Sequence, residues 1–230
     1  MARTGVWALL AVLAAGSAAA QPPLPLTERT EKIGLSGRKG ESLFRPGFGV
    51  GEYTGVSSGK SKSVRAAGIV SRDSMKADFT VTAPSLTQPV AGSCEGKEGM
   101  VHILGITFDR DDIYYDCTYQ RGGGTESFKL VLSKGSLGKR ITGGAQRAAD
   151  MTWGGKVYRA ETRRIGGFPV ALTGVSGYAI SQGGVDVGAL DLNGIRPTFY
   201  LPLAGSPDRD AVAVMALTLF FFQDPARANR

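Results

Sequence analysis

Asp109, Asp111, Asp112 and Asp116 form the densest set of hard oxygen donors in the chain. Carboxylates this close could hold calcium. The run Asp109-Arg110-Asp111-Asp112 lacks the glycine and terminal glutamate of the standard calcium loop, and it falls between two strand candidates, where a polar turn is expected. Glu161 and Asp191 could supply the carboxylate pair of a glycoside hydrolase, a role that requires a fixed separation across a cleft. Gly174-Val175-Ser176-Gly177 places glycines on both sides of a serine, but a nucleophile elbow needs the second glycine one position further on. His102 is the only histidine, so any triad would depend on it. Within Val101-His102-Ile103-Leu104 it reads as a strand residue. Gly122-Gly123-Gly124 has no following helix to complete a phosphate loop. Tyr114, Tyr115 and Tyr119 suit either an aromatic face for carbohydrate or lipid, or cross-strand packing. No set implies a metal or organic cofactor, so none is expected.

Two cysteines complete the reactive inventory, Cys94 and Cys117. An even number in an exported chain reads as one disulfide. Export is read from the first twenty residues. Arg3 is a positive n-region, Val6 to Ala15 an apolar stretch, and Ala18 and Ala20 the small residues before a cut ahead of Gln21. The stretch is too short to span a bilayer, and Pro22, Pro23 and Pro25 prevent a helix from continuing. The expected location is secreted or periplasmic, with no transmembrane helix in the mature chain.

The elements that must position these residues are mainly strands. The 230 residues include 33 glycines and 11 prolines, with 42% apolar and 8% aromatic side chains. That composition excludes a coiled coil, a helical bundle and a fibrous repeat. Met75, Ala77, Phe79 and Val81 alternate with polar or small residues. Ile113, Tyr115, Cys117 and Tyr119 do the same, as do Phe128, Leu130 and Leu132, which is the mark of strands with one buried face. Further strand candidates are Val50 to Ser57, Ser63 to Val70, Val101 to Phe108, Lys156 to Arg163, Val170 to Ile180, Val185 to Leu192 and Thr198 to Leu201. Gly122 to Gly124, Gly166-Gly167, Gly183-Gly184 and Asn193-Gly194 mark hairpin turns between strands. Residues 21–34 read as an extended lead-in, residues 35–225 as a single barrel domain and residues 226–230 as a polar tail.

One element departs from this pattern. Ser206-Pro207-Asp208-Arg209-Asp210 has the cap, the proline and the acids of a helix start. Ala211 to Phe222 then places apolar residues on every face, with Val212, Val214, Met215, Leu217, Leu219, Phe220 and Phe221 as the large ones. A helix over about 207–223 that is apolar all round must be buried or in a membrane. Twelve residues reach only about 18 Å, which is short of a bilayer. The expected fold is therefore mainly β, an antiparallel closed barrel of about 10–12 strands enclosing a hydrophobic C-terminal helix.

The segments Phe199-Tyr200-Leu201-Pro202-Leu203 and Asp208 to Phe222 resemble the end of the tubby and phospholipid-scramblase superfamily. Gly177-Tyr178-Ala179-Ile180, Val185 to Ala189 and Leu192-Asn193-Gly194 resemble its late strands, so the resemblance covers about residues 157–224. It implies a twelve-stranded barrel around a terminal helix and contact with lipid. No site residue is carried over from it.

The formal charge of +7 comes from 27 basic and 20 acidic residues. The basic residues are scattered, and export argues against a nucleic-acid partner. Lys60, Lys62 and Arg65 are the closest cluster, among serines and glycines. A positive field favours anionic lipid or an anionic envelope surface. The expected function is an exported, non-enzymatic binding or structural module acting there. The alternatives are a secreted hydrolase using Glu161 and Asp191, and a small outer-membrane β-barrel.

Overall fold

The computed structural model describes residues 25–36, 47–66, 70–98, 102–103, 106–107, 113–133, 146–166, 175–193 and 196–221. The export segment at 1–20, Asp109, Asp111, Asp112 and the tail at 226–230 lie outside the described residues.

A single turn of helix, α1 (Leu26–Arg29), leads into strand β1 (Thr30–Gly34). The strands that follow are β2 (Gly47–Val50), β3 (Tyr53–Ala66), β4 (Val70–Thr82) and β5 (Val90–Glu98). A two-stranded piece, β6 (His102–Ile103) with β7 (Ile106–Thr107), stands apart. Then come β8 (Ile113–Arg121), β9 (Gly124–Ser133), β10 (Gln146–Trp153), β11 (Lys156–Thr162), β12 (Gly177–Gln182), β13 (Val185–Asp191) and β14 (Thr198–Pro202). The terminal helix α2 spans Arg209–Phe221.

Twelve of these strands form one antiparallel sheet in the order β1-β14-β13-β12-β11-β10-β9-β8-β5-β4-β3-β2. Its first and last strands meet. Just beyond β1, the Ser36 amide donates to the Gly49 carbonyl at 2.8 Å, and the Gly49 amide donates to the Ser36 carbonyl at 2.9 Å. This bridge makes the sheet a nearly closed barrel, which curls round α2. Phe48, Phe79, Phe128, Leu130, Met151, Ile180, Leu190 and Leu201 fill the interior from all sides.

The two ends of the barrel differ in kind. Every connection at one end is short, namely residues 51–52, 83–89, 122–123, 154–155, 183–184 and the chain from Leu203 into α2. All eight described glycines with positive φ lie there, from Gly51 to Gly205. Paired glycines at 122–123, 154–155 and 183–184 give both central turn positions the left-handed backbone that two-residue hairpins require. The longer connections lie at the opposite end.

Several sequence expectations change. Within the expected lead-in at 21–34, the described residues Thr30–Gly34 are a strand of the sheet and not extended chain outside it, because β1 pairs with β14. Its five residues, Thr-Glu-Lys-Ile-Gly, hold a single large apolar side chain, so no alternation betrayed it. Within Val101 to Phe108 the described residues form two short strands, β6 and β7, and within Ser63 to Val70 they belong to the end of β3 and the start of β4. The helix begins at Arg209 and not at 207. Ser206 and Pro207 sit in the preceding turn, and the Asp208 carbonyl accepts the first helical bond from Val212 at 3.0 Å. Phe220 is only partly buried, whereas Val212, Val214, Met215, Leu217, Leu219 and Phe221 are buried.

Cys94 and Cys117 are directly opposed on neighbouring strands β5 and β8 and form a disulfide. Both are almost fully buried on the inner wall. Bridging residues 23 apart stabilises the fold by about 3 kcal/mol in the chain-entropy treatment.

Candidate functional site

A set of polar groups converges on the N-terminal end of α2. Three consecutive residues, Asp208, Arg209 and Asp210, each reach a different part of the barrel wall. Asp208 Oδ1 accepts hydrogen bonds from Lys156 Nζ at 2.8 Å and Tyr158 Oη at 2.7 Å, both on β11. Asp210 Oδ1 accepts from Tyr53 Oη on β3 and from Ser85 Oγ between β4 and β5, each at 2.6 Å. Arg209 donates Nε and Nη2 to the two carboxylate oxygens of Glu52 at 2.5 and 2.9 Å, and Nη2 also to Glu31 at 2.8 Å. Its Nη1 donates to the Pro202 carbonyl.

The position of Arg209 explains its connections. Glu31 is on β1, and Glu52 follows β2, so one guanidinium spans the seam where the sheet closes. Its side chain is 7% exposed, against 31% for Glu52 and 42% for Glu31. A planar fork with five donors suits three acceptors at once, which an ammonium cannot match.

Deeper in, the Tyr119 and Thr218 hydroxyls are 2.7 Å apart, and Thr218 donates back to the Val214 carbonyl at 2.8 Å. That contact accommodates the helix's one interior polar residue. The last turn of α2 ends in aromatic contacts, with the Phe221 ring centroid 4.8 Å from Phe48 and 6.0 Å from Phe79. Near its start, Val212 lies against Gly188 of β13, where a Cβ would come within 2.4 Å of Val212 Cγ1. The contacts of α2 thus come from strands all round the ring.

These surroundings set the titration of the cluster. The hydrogen bond from Arg209 holds the Glu52 carboxyl below its ordinary range. Burial pushes the Asp208 carboxyl up, but the bonds from Lys156 and Tyr158 outweigh it and leave it lowered. Burial, followed by the carboxylate acceptors Asp210 and Asp208, pushes the Tyr53 and Tyr158 hydroxyls up. Burial does the same to Tyr115 and Tyr119. A carboxylate held low stabilises the fold above its unfolded pKa, and that stability is lost as pH falls through its folded pKa. A phenol held high stabilises it fully below its unfolded pKa of about 10, and the stability is lost as pH rises through the folded pKa. Tyr53, Tyr115, Tyr119 and Tyr158 are therefore expected to stay protonated above pH 10. They should ionise only in a step that coincides with loss of the far-ultraviolet circular dichroism. Smooth ionisation of all seven tyrosines near pH 10, with the dichroism unchanged, would contradict this.

The sequence-derived candidates fall elsewhere. Asp116 is on the outer wall, 3.9 Å from Lys129. Glu161 is exposed and accepts from Arg159 Nε at 2.9 Å. Asp191 is buried, and its Oδ1 accepts the Asn193 amide at 2.9 Å to hold a turn. Strand β12 separates the two, a gap of roughly 10 Å between the strands that carry them. The structure does not pair them across a cleft. Tyr115 and Tyr119 are buried in the interior and not on an outer face. His102 begins β6.

The outer wall carries charge in register. Lys76, Glu95, Asp116, Lys129, Asp150 and Arg159 stand directly opposite one another on β4, β5, β8, β9, β10 and β11. Lys76 donates to Glu95 at 2.7 Å. The rows beside this belt are Ser93 with Thr118 and Thr80 with Ala91. A bilayer-spanning barrel has an apolar band here and a polar lumen, and each basic residue at its midplane costs about 2–4 kcal/mol. This barrel has the opposite arrangement, with a polar wall outside and an apolar interior.

Fold and interior together define a class: a twelve-stranded antiparallel barrel plugged by its own C-terminal helix, with the polar residues at the helix start bound to the wall. Comparisons with protein families, with curated proteins and with solved structures give no match.

Proposed function

We propose that the chain is an exported binding or structural module that works through its outer surface, at an anionic lipid or envelope surface. The observation that carries this reading is the filled interior. The residues from Ala211 to Leu217 have no solvent exposure. The acidic and basic side chains at the mouth of the barrel are engaged in holding the helix. A ligand is left the outer wall and the loops. The net charge, +7 for the whole chain and +6 once Arg3 leaves with the first twenty residues, gives that surface its preference for anions. The first twenty residues and the buried disulfide suit an oxidising compartment. The resemblance of residues 157–224 to the tubby and scramblase superfamily adds lipid to the candidate surfaces.

Co-sedimentation with vesicles tests the reading. The protein should be retained by phosphatidylcholine vesicles containing phosphatidylglycerol, less by phosphatidylcholine alone, and less as salt is raised. No retention by either composition would overturn it.

A further inference from the structure

Two concavities adjoin on the outer wall beside the charge belt, and they share Val56. One, of about 440 Å³, lies over β3, β4, β5 and β8. The other, of about 500 Å³, lies over β2 and β3 next to Ser36 at the seam. Side-chain size produces both. Directly opposed residues run across the strands in the row Gly47, Val56, Thr80, Ala91 and Gln120. In this row Ala91 leaves a gap between Thr80 and Gln120, which stand two strand spacings apart, about 10 Å. Asp78, Ser93 and Thr118, directly opposed on the same three strands, border the gap along the next row. At the far end Gly47 and Gly49 carry no side chain and leave the wall bare outside β2. The two concavities thus form one trough across the strands from β2 to β8, about 19 Å long.

The lining decides what can lie in it. Among the described residues that line the trough there is no cation, and Asp78 is the one charged group. An anionic head group therefore meets no counter-charge there. A peptide added by strand pairing needs an unpaired backbone edge. Strands β3, β4, β5 and β8 are paired on both sides at these rows. The trough instead presents hydroxyls, an amide and a carboxylate around small apolar surfaces. A hydroxyl and an amide each donate and accept, and a carboxylate accepts several bonds at once. Asp78 Oδ1 accepts from Ser93 Oγ at 2.8 Å, and Gln120 Oε1 accepts from Thr125 Oγ1 at 3.4 Å. Both are oriented by these bonds and keep capacity for more. Val56 is 50% exposed and adds an apolar face. A few polar groups fixed on paired strands, with apolar ground between them, complement sugar rings, whose edges are hydroxyls and whose faces are C–H.

We propose that this trough binds an uncharged oligosaccharide, with Asp78, Thr118 and Gln120 bonding the hydroxyls of the ring seated over Ala91. The proposal goes beyond the vesicle reading above and does not depend on it, because the trough needs no cation.

Calorimetric titration of the full mature chain tests it, with cellotetraose and tetra-N-acetylchitotetraose as neutral probes and tetragalacturonate as the anionic one. At least one neutral tetramer should bind with a Kd of about 1 mM or tighter, and added salt should not weaken it. Asp78→Ala should weaken that binding roughly ten- to hundredfold, the range for a bond to a charged group. Ala91 is exposed, and Ala91→Gln fills the gap, so it should weaken binding by roughly tenfold or more through steric exclusion. Thr152 is exposed on the same wall outside the trough, and Thr152→Gln should bind like the wild type. Circular dichroism reports whether each variant is folded. Absence of binding by both neutral tetramers overturns the proposal. So does tighter binding of tetragalacturonate than of either neutral tetramer, or equal binding by the wild type and Ala91→Gln. Vesicle retention should be the same for the wild type and Ala91→Gln, so the two readings fail separately. Loss of vesicle retention in Ala91→Gln would make the trough a lipid site and overturn the assignment to sugar.

Discussion

Replacing Arg209 with methionine should destabilise the protein by about 3 kcal/mol, a fall in melting temperature of roughly 6–12 °C for a chain of this size. Methionine keeps the unbranched stem and removes the guanidinium. Glu31, Glu52 and the Pro202 carbonyl then lose their common donor. Breaking a buried ion pair from one side typically costs 3–5 kcal/mol, because the partner charge stays behind. The lower end applies here, since both glutamates retain solvent access. The pH dependence of the deficit is diagnostic. In the variant two carboxylates flank the seam with no cation between them, so protonation relieves them. The deficit relative to wild type should narrow as pH falls through the carboxylate range. Arg209→Lys keeps the charge but cannot reach three acceptors, and should fall between the two. A deficit below about 0.5 kcal/mol, the range of ordinary surface substitutions, would show that Arg209 does not hold the seam.

The architecture was legible in the sequence because its main signals are periodic. Strands such as Ile113–Arg121 alternate over nine residues, and a helix with no polar face has few places to go. The glycine pairs at 122–123 and 183–184 marked the turns they form. Strand β1 was not legible, because five residues with three polar side chains leave no pattern to count. The Asp208-Arg209-Asp210 anchor was legible only in part. The two aspartates read as favourable charges at a helix start, which is a local effect. Their partners, Tyr53, Ser85, Lys156 and Tyr158, are 50 to 157 positions away from the aspartates they bond, and no local rule reaches that far. The available clue was three successive charges at the threshold of an otherwise apolar helix. Glu161 and Asp191 mark the opposite error. Their residue types permitted chemistry, but pairing requires proximity, and the strand order places β12 between them.

The central claim is that the barrel is built around the helix, with the inner wall shaped to receive it. At Gly188 the wall comes close to the helix. A Cβ there would lie 2.4 Å from Val212 Cγ1 and 2.8 Å from the Tyr200 carbonyl oxygen. Gly188→Ala should therefore cost about 2–3 kcal/mol through overpacking. Val212→Ala should cost roughly 2 kcal/mol through lost burial and the cavity left behind. Together they should partly compensate, because the new methyl fills space vacated by the valine and lies 3.5 Å from the Cβ at position 212. The Tyr200 carbonyl still crowds it, so compensation is incomplete. The most direct measurement is the coupling energy from this double-mutant cycle, obtained by denaturant unfolding of all four proteins. The account predicts a double variant more stable than the sum of the single effects by at least about 1 kcal/mol. Additivity within about 0.5 kcal/mol would mean that the two residues do not touch, and the helix would not occupy the barrel as described.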